Sequence, residues 1–202
     1  MREAILFIIC LVPLAILSFT AKYDKDIRVH WHKKNIIYLT IFSIAGSLLA
    51  YFKFRASVNM ILVAILLSYL IIISFTDQMI KKVYQYINIL YCIIGISIYI
   101  MCTDNQLNNL LYIVMYIISV IIMSKMKLFA WGDVEIFIVL SFYIAILFST
   151  YILLIELLFI HMLIALIIFT GINIKSFIKK EKIQKPYALS ISIATIILIC
   201  LR

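Results

Sequence analysis

Asp77 and Asp133 stand at the ends of long apolar runs in a chain that otherwise keeps acidic residues almost wholly out of its hydrophobic segments. A carboxylate at membrane depth costs on the order of 3 kcal/mol or more unless it faces protein or water, so a functional site is its default reading. The strings around the two, FTDQMIKKVYQ and FAWGDVEIF, place the aspartates 56 residues apart. That gap accommodates two helices of ~20 residues and a short hairpin, which return the chain to the face it left. Two carboxylates brought together on one face cannot both ionise cheaply, so they share a proton and titrate in two coupled steps. One becomes the base and the other the acid. The ionised member can take a proton from water attacking a peptide carbonyl while the protonated member hydrogen-bonds to that oxygen, which is aspartic-protease chemistry.

The elements that must position this pair follow from composition. Of 202 residues, 66% are hydrophobic and 13% charged, with a mean hydropathy of +1.18. Soluble domains are roughly half apolar, so an ordinary soluble domain is excluded. The apolar stretches predict spans over residues 3–20, 36–53, 58–76, 85–102, 110–128, 134–149, 151–173 and 187–201. The expected fold is all-α, a polytopic membrane bundle of about eight transmembrane helices. The many isoleucines do not argue for strands, because a bilayer admits only helices or closed barrels and these runs lack polar alternation. Arg2 before the apolar run from Ile5 to Phe19 resembles a signal peptide. No small-residue cleavage signature follows, so the run reads as the first span.

The net charge of +9 reports topology rather than nucleic-acid binding. With the first, third, fifth and seventh connections in the cytoplasm, only Arg2, Lys53, Arg55 and Arg202 of the 18 Lys and Arg residues stay outside. Such asymmetry in short loops is what sets orientation in a membrane. It predicts a multi-pass plasma-membrane protein with both termini extracytoplasmic and both aspartates at the cytoplasmic boundary. Gly132 is expected to form a tight turn, with Asp133 capping the helix that follows. Cys10, Cys92, Cys102 and Cys200 show no CxxC spacing, hence no zinc site and no disulfide framework. No internal repeat is present, and the longest polar segment is about fifteen residues, too short for its own core. The expected organisation is therefore one integral-membrane domain over 1–202.

At this level the residues resemble a known family. Asp77-Gln78-Met79-Ile80-Lys81-Lys82-Val83-Tyr84-Gln85 is similar to the D-x5-[IV]-P-N segment of type IV prepilin peptidases and archaeal preflagellin peptidases. Ala130-Trp131-Gly132-Asp133-Val134-Glu135 resembles their GxGD-V-K motif, and Lys185-Pro186-Tyr187-Ala188 their Pro-Phe-x-x-Ala region. The resemblance covers roughly 58–202, leaving two spans in 1–57. It implies that Asp77 and Asp133 are the catalytic pair of a membrane aspartic endopeptidase, with Val83, Gly132 and Glu135 shaping the site. The implied substrates are prepilin-like or pseudopilin-like precursors, which lose a basic leader on the cytoplasmic side. Tyr84 and Gln85 stand where the family usually has Pro and Asn, Ala130 replaces its first glycine, and Glu135 its usual Lys. Glu135 adds negative charge near Asp133 and raises the proton affinity of the pair. Members that also methylate the new N-terminus carry a large insertion after the first span. Here only Ala21 to Asn35 lies there, so neither N-methylation nor an S-adenosylmethionine site is expected, and no cofactor is implied.

Other polar residues carry less. Glu156 and His161 sit in one predicted span, but five residues turn a helix by ~500° and leave them about 140° apart. They make a weak metal case, so no metal is expected. Glu156 and Pro186 are candidates for structural or substrate-positioning roles. His30, Trp31 and His32 read as an interfacial anchor, with membrane lipid as the partner. Two alternatives stay open on sequence grounds: a proton-coupled transporter using Asp77, Asp133 and Glu156, and an inactive relative serving as an assembly factor.

Overall fold

A computed structural model describes residues 2–55, 57–102, 106–148, 154–178 and 187–201. Among these the architecture is all-α, with nine helices and no strand. Six helices are long and apolar enough to cross a membrane, as expected of a membrane protein. The chain divides into two compact units, Met1–Lys82 and Val83–Arg202.

The N-terminal unit holds α1 (Arg2–Tyr23), α2 (Lys25–His30), α3 (Lys33–Phe54) and α4 (Val58–Ile80). Its centre is α4, which packs on the other three helices and buries twelve residues from Met60 to Thr76. Such a helix, apolar on most of its circumference, reads as an interior element. The short α2 was not foreseen from the apolar pattern. Asp24 caps it by accepting from the Asp26 backbone N–H at 2.7 Å, satisfying one of the orphan donors of a helix start. Arg28 turns back to donate to the Ala21 and Lys22 carbonyls, which closes the end of α1.

The C-terminal unit holds α5 (Gln85–Cys102), α6 (Gln106–Lys125), α7 (Trp131–Leu147), α8 (Leu154–Ile178) and α9 (Tyr187–Leu201). Every one of the others packs against α7, which buries twelve of its 17 residues. At 1.5 Å per residue α7 rises about 25 Å, short of the ~30 Å hydrocarbon core. Burial in protein, more than exposure to lipid, accounts for its uniform apolarity. Its core is aromatic. Phe137 meets the rings of Tyr116 on α6, His161 on α8 and Tyr187 on α9 with centroids 5.9 to 6.4 Å apart, a range suited to edge-on packing. The α8 and α9 helices are tied by His161 Nε2 and Thr195 Oγ1 at 2.9 Å. The Thr195 hydroxyl donates to the Ile191 carbonyl, so its oxygen accepts and the proton of His161 sits on Nε2.

Candidate active site

Asp77 occupies the last turn of α4 and is half-buried. The helix ends there because Lys81 adopts a left-handed conformation (φ 54°) and donates its N–H to the Asp77 carbonyl at 3.1 Å. Few residues other than glycine and asparagine stop helices this way. Thr76, one residue earlier, is buried and returns its hydroxyl to the Ile73 carbonyl. The start of α3 reaches the same region, since Asn35 Nδ2 lies 3.8 Å from the Met79 sulfur while also donating to the His30 carbonyl. Beyond the helix end, Lys82 pairs with Asp26 of α2. The hydrogen bond to Asp26, then its charge, holds the Lys82 ammonium above its usual range.

Asp133 lies in the first turn of α7 and is also half-buried. Its Oδ2 accepts the Ala130 backbone N–H at 3.1 Å, and its own N–H donates to the Ala130 carbonyl at 3.0 Å. Asp133 thus caps α7, but from the third helical position and not from the cap position itself, which Ala130 holds. The expectation for Gly132 needs correction. No glycine among the described residues has a positive φ, and Gly132 is the second residue of α7, so it makes no tight turn. Lys127 (φ 63°) turns the chain instead. Gly132 matters for space: a Cβ there would meet Val83 Cβ at 3.4 Å and its Cγ2 at 3.5 Å.

Glu135 does not stand alone beside Asp133. It accepts from Asn88 Nδ2 of α5 at 2.8 Å, and Asn88 is buried. A buried amide donor needs such a partner. Nothing in the local spacing of Asn88 foretold this bond, because donor and acceptor come from helices 47 residues apart. Glu156 is exposed in the first turn of α8, not set within a span, while His161 is fully buried. Burial of one and exposure of the other agree with their separation around the helix. Pro186 and Lys185 lie outside the described residues.

Tyr187, which opens α9, closes the other side of this region. Its ring meets Phe169 at 4.7 Å, Phe129 at 5.5 Å and Phe137 at 6.3 Å between centroids. Phe129 and Phe137 each lie four residues from Asp133 in the chain. The charge of Asp133 acts on the Tyr187 hydroxyl. Asp77 belongs to the N-terminal unit, and Val83, Gly132, Asp133, Glu135 and Tyr187 belong to the C-terminal one. Among the described residues no cluster of His, Cys, Asp and Glu could hold a metal ion.

Helix content and apolar length define the class: an all-α membrane protein with half-buried carboxylates at two helix ends. No protein family, curated protein or solved structure matches the chain.

Proposed function

We propose that the protein is a membrane-embedded aspartic endopeptidase that removes the leader of prepilin-like precursors, with Asp77 and Asp133 as its catalytic pair. One observation carries the reading: Val83, which closes the D-x5-V segment begun by Asp77, packs directly on Gly132, which precedes Asp133. The two sequence elements that define the resemblance are thus neighbours through their own residues.

In this proposal the helix ends divide the chemistry. Asp133 sits where α7 presents free N–H groups and the positive end of its dipole, and it already accepts one N–H; both favour the carboxylate form. Asp77 sits at the carbonyl end of α4, where the dipole favours the neutral acid. Asp133 therefore acts as base, taking the proton of the attacking water, and Asp77 as acid, donating to the peptide carbonyl oxygen. Collapse of the tetrahedral intermediate expels the amine, which takes back a proton, and the cut falls at the cytoplasmic boundary.

The test is reconstitution in lipid with prepilin-like peptides that carry a basic leader ahead of an apolar helix. Asp77→Asn and Asp133→Asn should each lower cleavage by on the order of 10²- to 10⁴-fold, the usual worth of a positioned acid or base. Full activity in either variant would refute the dyad. Ion flux dependent on both aspartates, without cleavage of any precursor, would favour the transporter.

A further inference from the structure

The Tyr187 hydroxyl is buried and has no hydrogen-bond partner among the described residues. Leaving a buried donor unsatisfied costs about 1–3 kcal/mol, and in hydrocarbon no solvent offsets it. The ring cannot easily turn away to find one, because Phe129, Phe137 and Phe169 surround it. Packing therefore holds the hydroxyl at one place, beside the first turn of α7. A phenol fixed by its ring and lacking a resident partner is suited to a group that arrives with the reaction.

We propose that Tyr187 is a positioning residue that donates its hydroxyl proton to the water held by the Asp133 carboxylate. This rests on the peptidase reading and adds a third group to its site. The geometry supports a water between the two, since Tyr187 makes no direct hydrogen bond to Asp133, yet the Asp133 charge acts on the hydroxyl. The water donates one proton to Asp133 and accepts from Tyr187. This leaves its second lone pair for the peptide carbonyl, and no proton leaves Tyr187. The titratable groups packed against α7 are Tyr91 and Cys92 of α5, Tyr116 of α6, His161 of α8 and Tyr187 of α9, besides Glu135 on α7 itself. Of the five from other helices, Tyr187 alone has its ring against both Phe129 and Phe137, the residues that flank Asp133.

The experiment uses the full chain in lipid, comparing wild type with Tyr187→Phe, which keeps the ring and its packing, and with Tyr187→Leu, which removes both. Tyr187→Phe should melt as wild type does while kcat falls about tenfold to a hundredfold with KM unchanged, the worth of one hydrogen bond near a charge. The acid limb of its pH profile should move upward, because the Asp133 anion loses support. Isotope-edited infrared titration of the carboxylates, with the Asp133 band identified by its loss in Asp133→Asn, reads the same shift without needing turnover. If no precursor is cleaved but that midpoint rises in Tyr187→Phe, the peptidase reading fails and the Tyr187 contact stands. If the precursor is cleaved and kcat, acid limb and infrared midpoint all match wild type, Tyr187 is packing alone and the inference is overturned. An infrared midpoint unchanged in Tyr187→Phe overturns it whether or not cleavage occurs.

Discussion

Replacing Gly95 by alanine should loosen the helix pair on which the Asp133 turn rests. The added Cβ would lie 2.9 Å from Tyr143 Cε2 and 3.4 Å from both Tyr143 Cδ2 and Phe142 Cβ. Ordinary contact begins near 3.4 Å, so the Tyr143 ring must retreat by about 0.5 Å. It has little room, being fully buried on α7. Its hydroxyl also donates to the Tyr91 carbonyl at 3.2 Å, one turn before Gly95 on α5, so retreat from Gly95 lengthens that bond. Overpacking of this kind costs about 1–3 kcal/mol. Loss of the hydrogen bond adds about 1 kcal/mol. Equilibrium unfolding in mild detergent should therefore show Gly95→Ala destabilised by roughly 2–4 kcal/mol. Gly171→Ala is the control, because a Cβ there meets no atom within 4 Å, and its change should stay within ~0.5 kcal/mol. Placing Gly95→Ala in a Tyr143→Leu background removes the opposing ring, and most of its cost should vanish. Equal stabilities for the two alanine variants, or an undiminished Gly95→Ala penalty in the Tyr143→Leu background, would refute the packing argument. Since α5 also carries Asn88, cleavage should fall along with stability.

Glu135→Leu leaves the Asn88 amide buried without an acceptor and should cost about 1–3 kcal/mol, whereas Glu135→Gln keeps an acceptor and should cost less. The swap Asn88→Asp with Glu135→Lys should recover most of the loss seen in Glu135→Lys alone, measured as a double-mutant cycle of unfolding midpoints. The Lys82–Asp26 pair gives a pH signature. Lys82 is held above its ordinary value in the folded state, so its contribution is present below the unfolded value of ~10.4 and is lost as pH rises through the higher folded one. The difference in melting temperature between wild type and Asp26→Asn should stay level to about pH 9, close above about pH 10.5 and shrink in 1 M salt. Both side chains are 55% exposed, so the effect is small. A gap that instead opens at high pH would contradict the pairing.

The helices themselves were legible in the amino-acid order. Transfer of a side chain into hydrocarbon is a local property, so long apolar runs with polar breaks mark helices wherever they occur. Each expected span begins and ends within about five residues of a helix observed. The ionisable outliers were equally plain, and Asp77 and Asp133 do lie at helix ends. The short α2 was missed because it owes its form to caps and to Arg28, not to an apolar face.

Partnership was a different matter. Whether Glu135 is a lone charge or the acceptor of Asn88, whether Gly132 turns the chain or makes room for Val83, and whether α7 faces lipid or protein depend on which helices meet. The division of the chain at Lys82 and Val83 likewise rests on packing among helices. The order of residues determined a membrane protein of apolar helices with two carboxylates at their ends, since hydropathy and charge act residue by residue. Only the tertiary structure decided what surrounds each carboxylate, because close packing and hydrogen bonding join atoms from helices far apart in the chain.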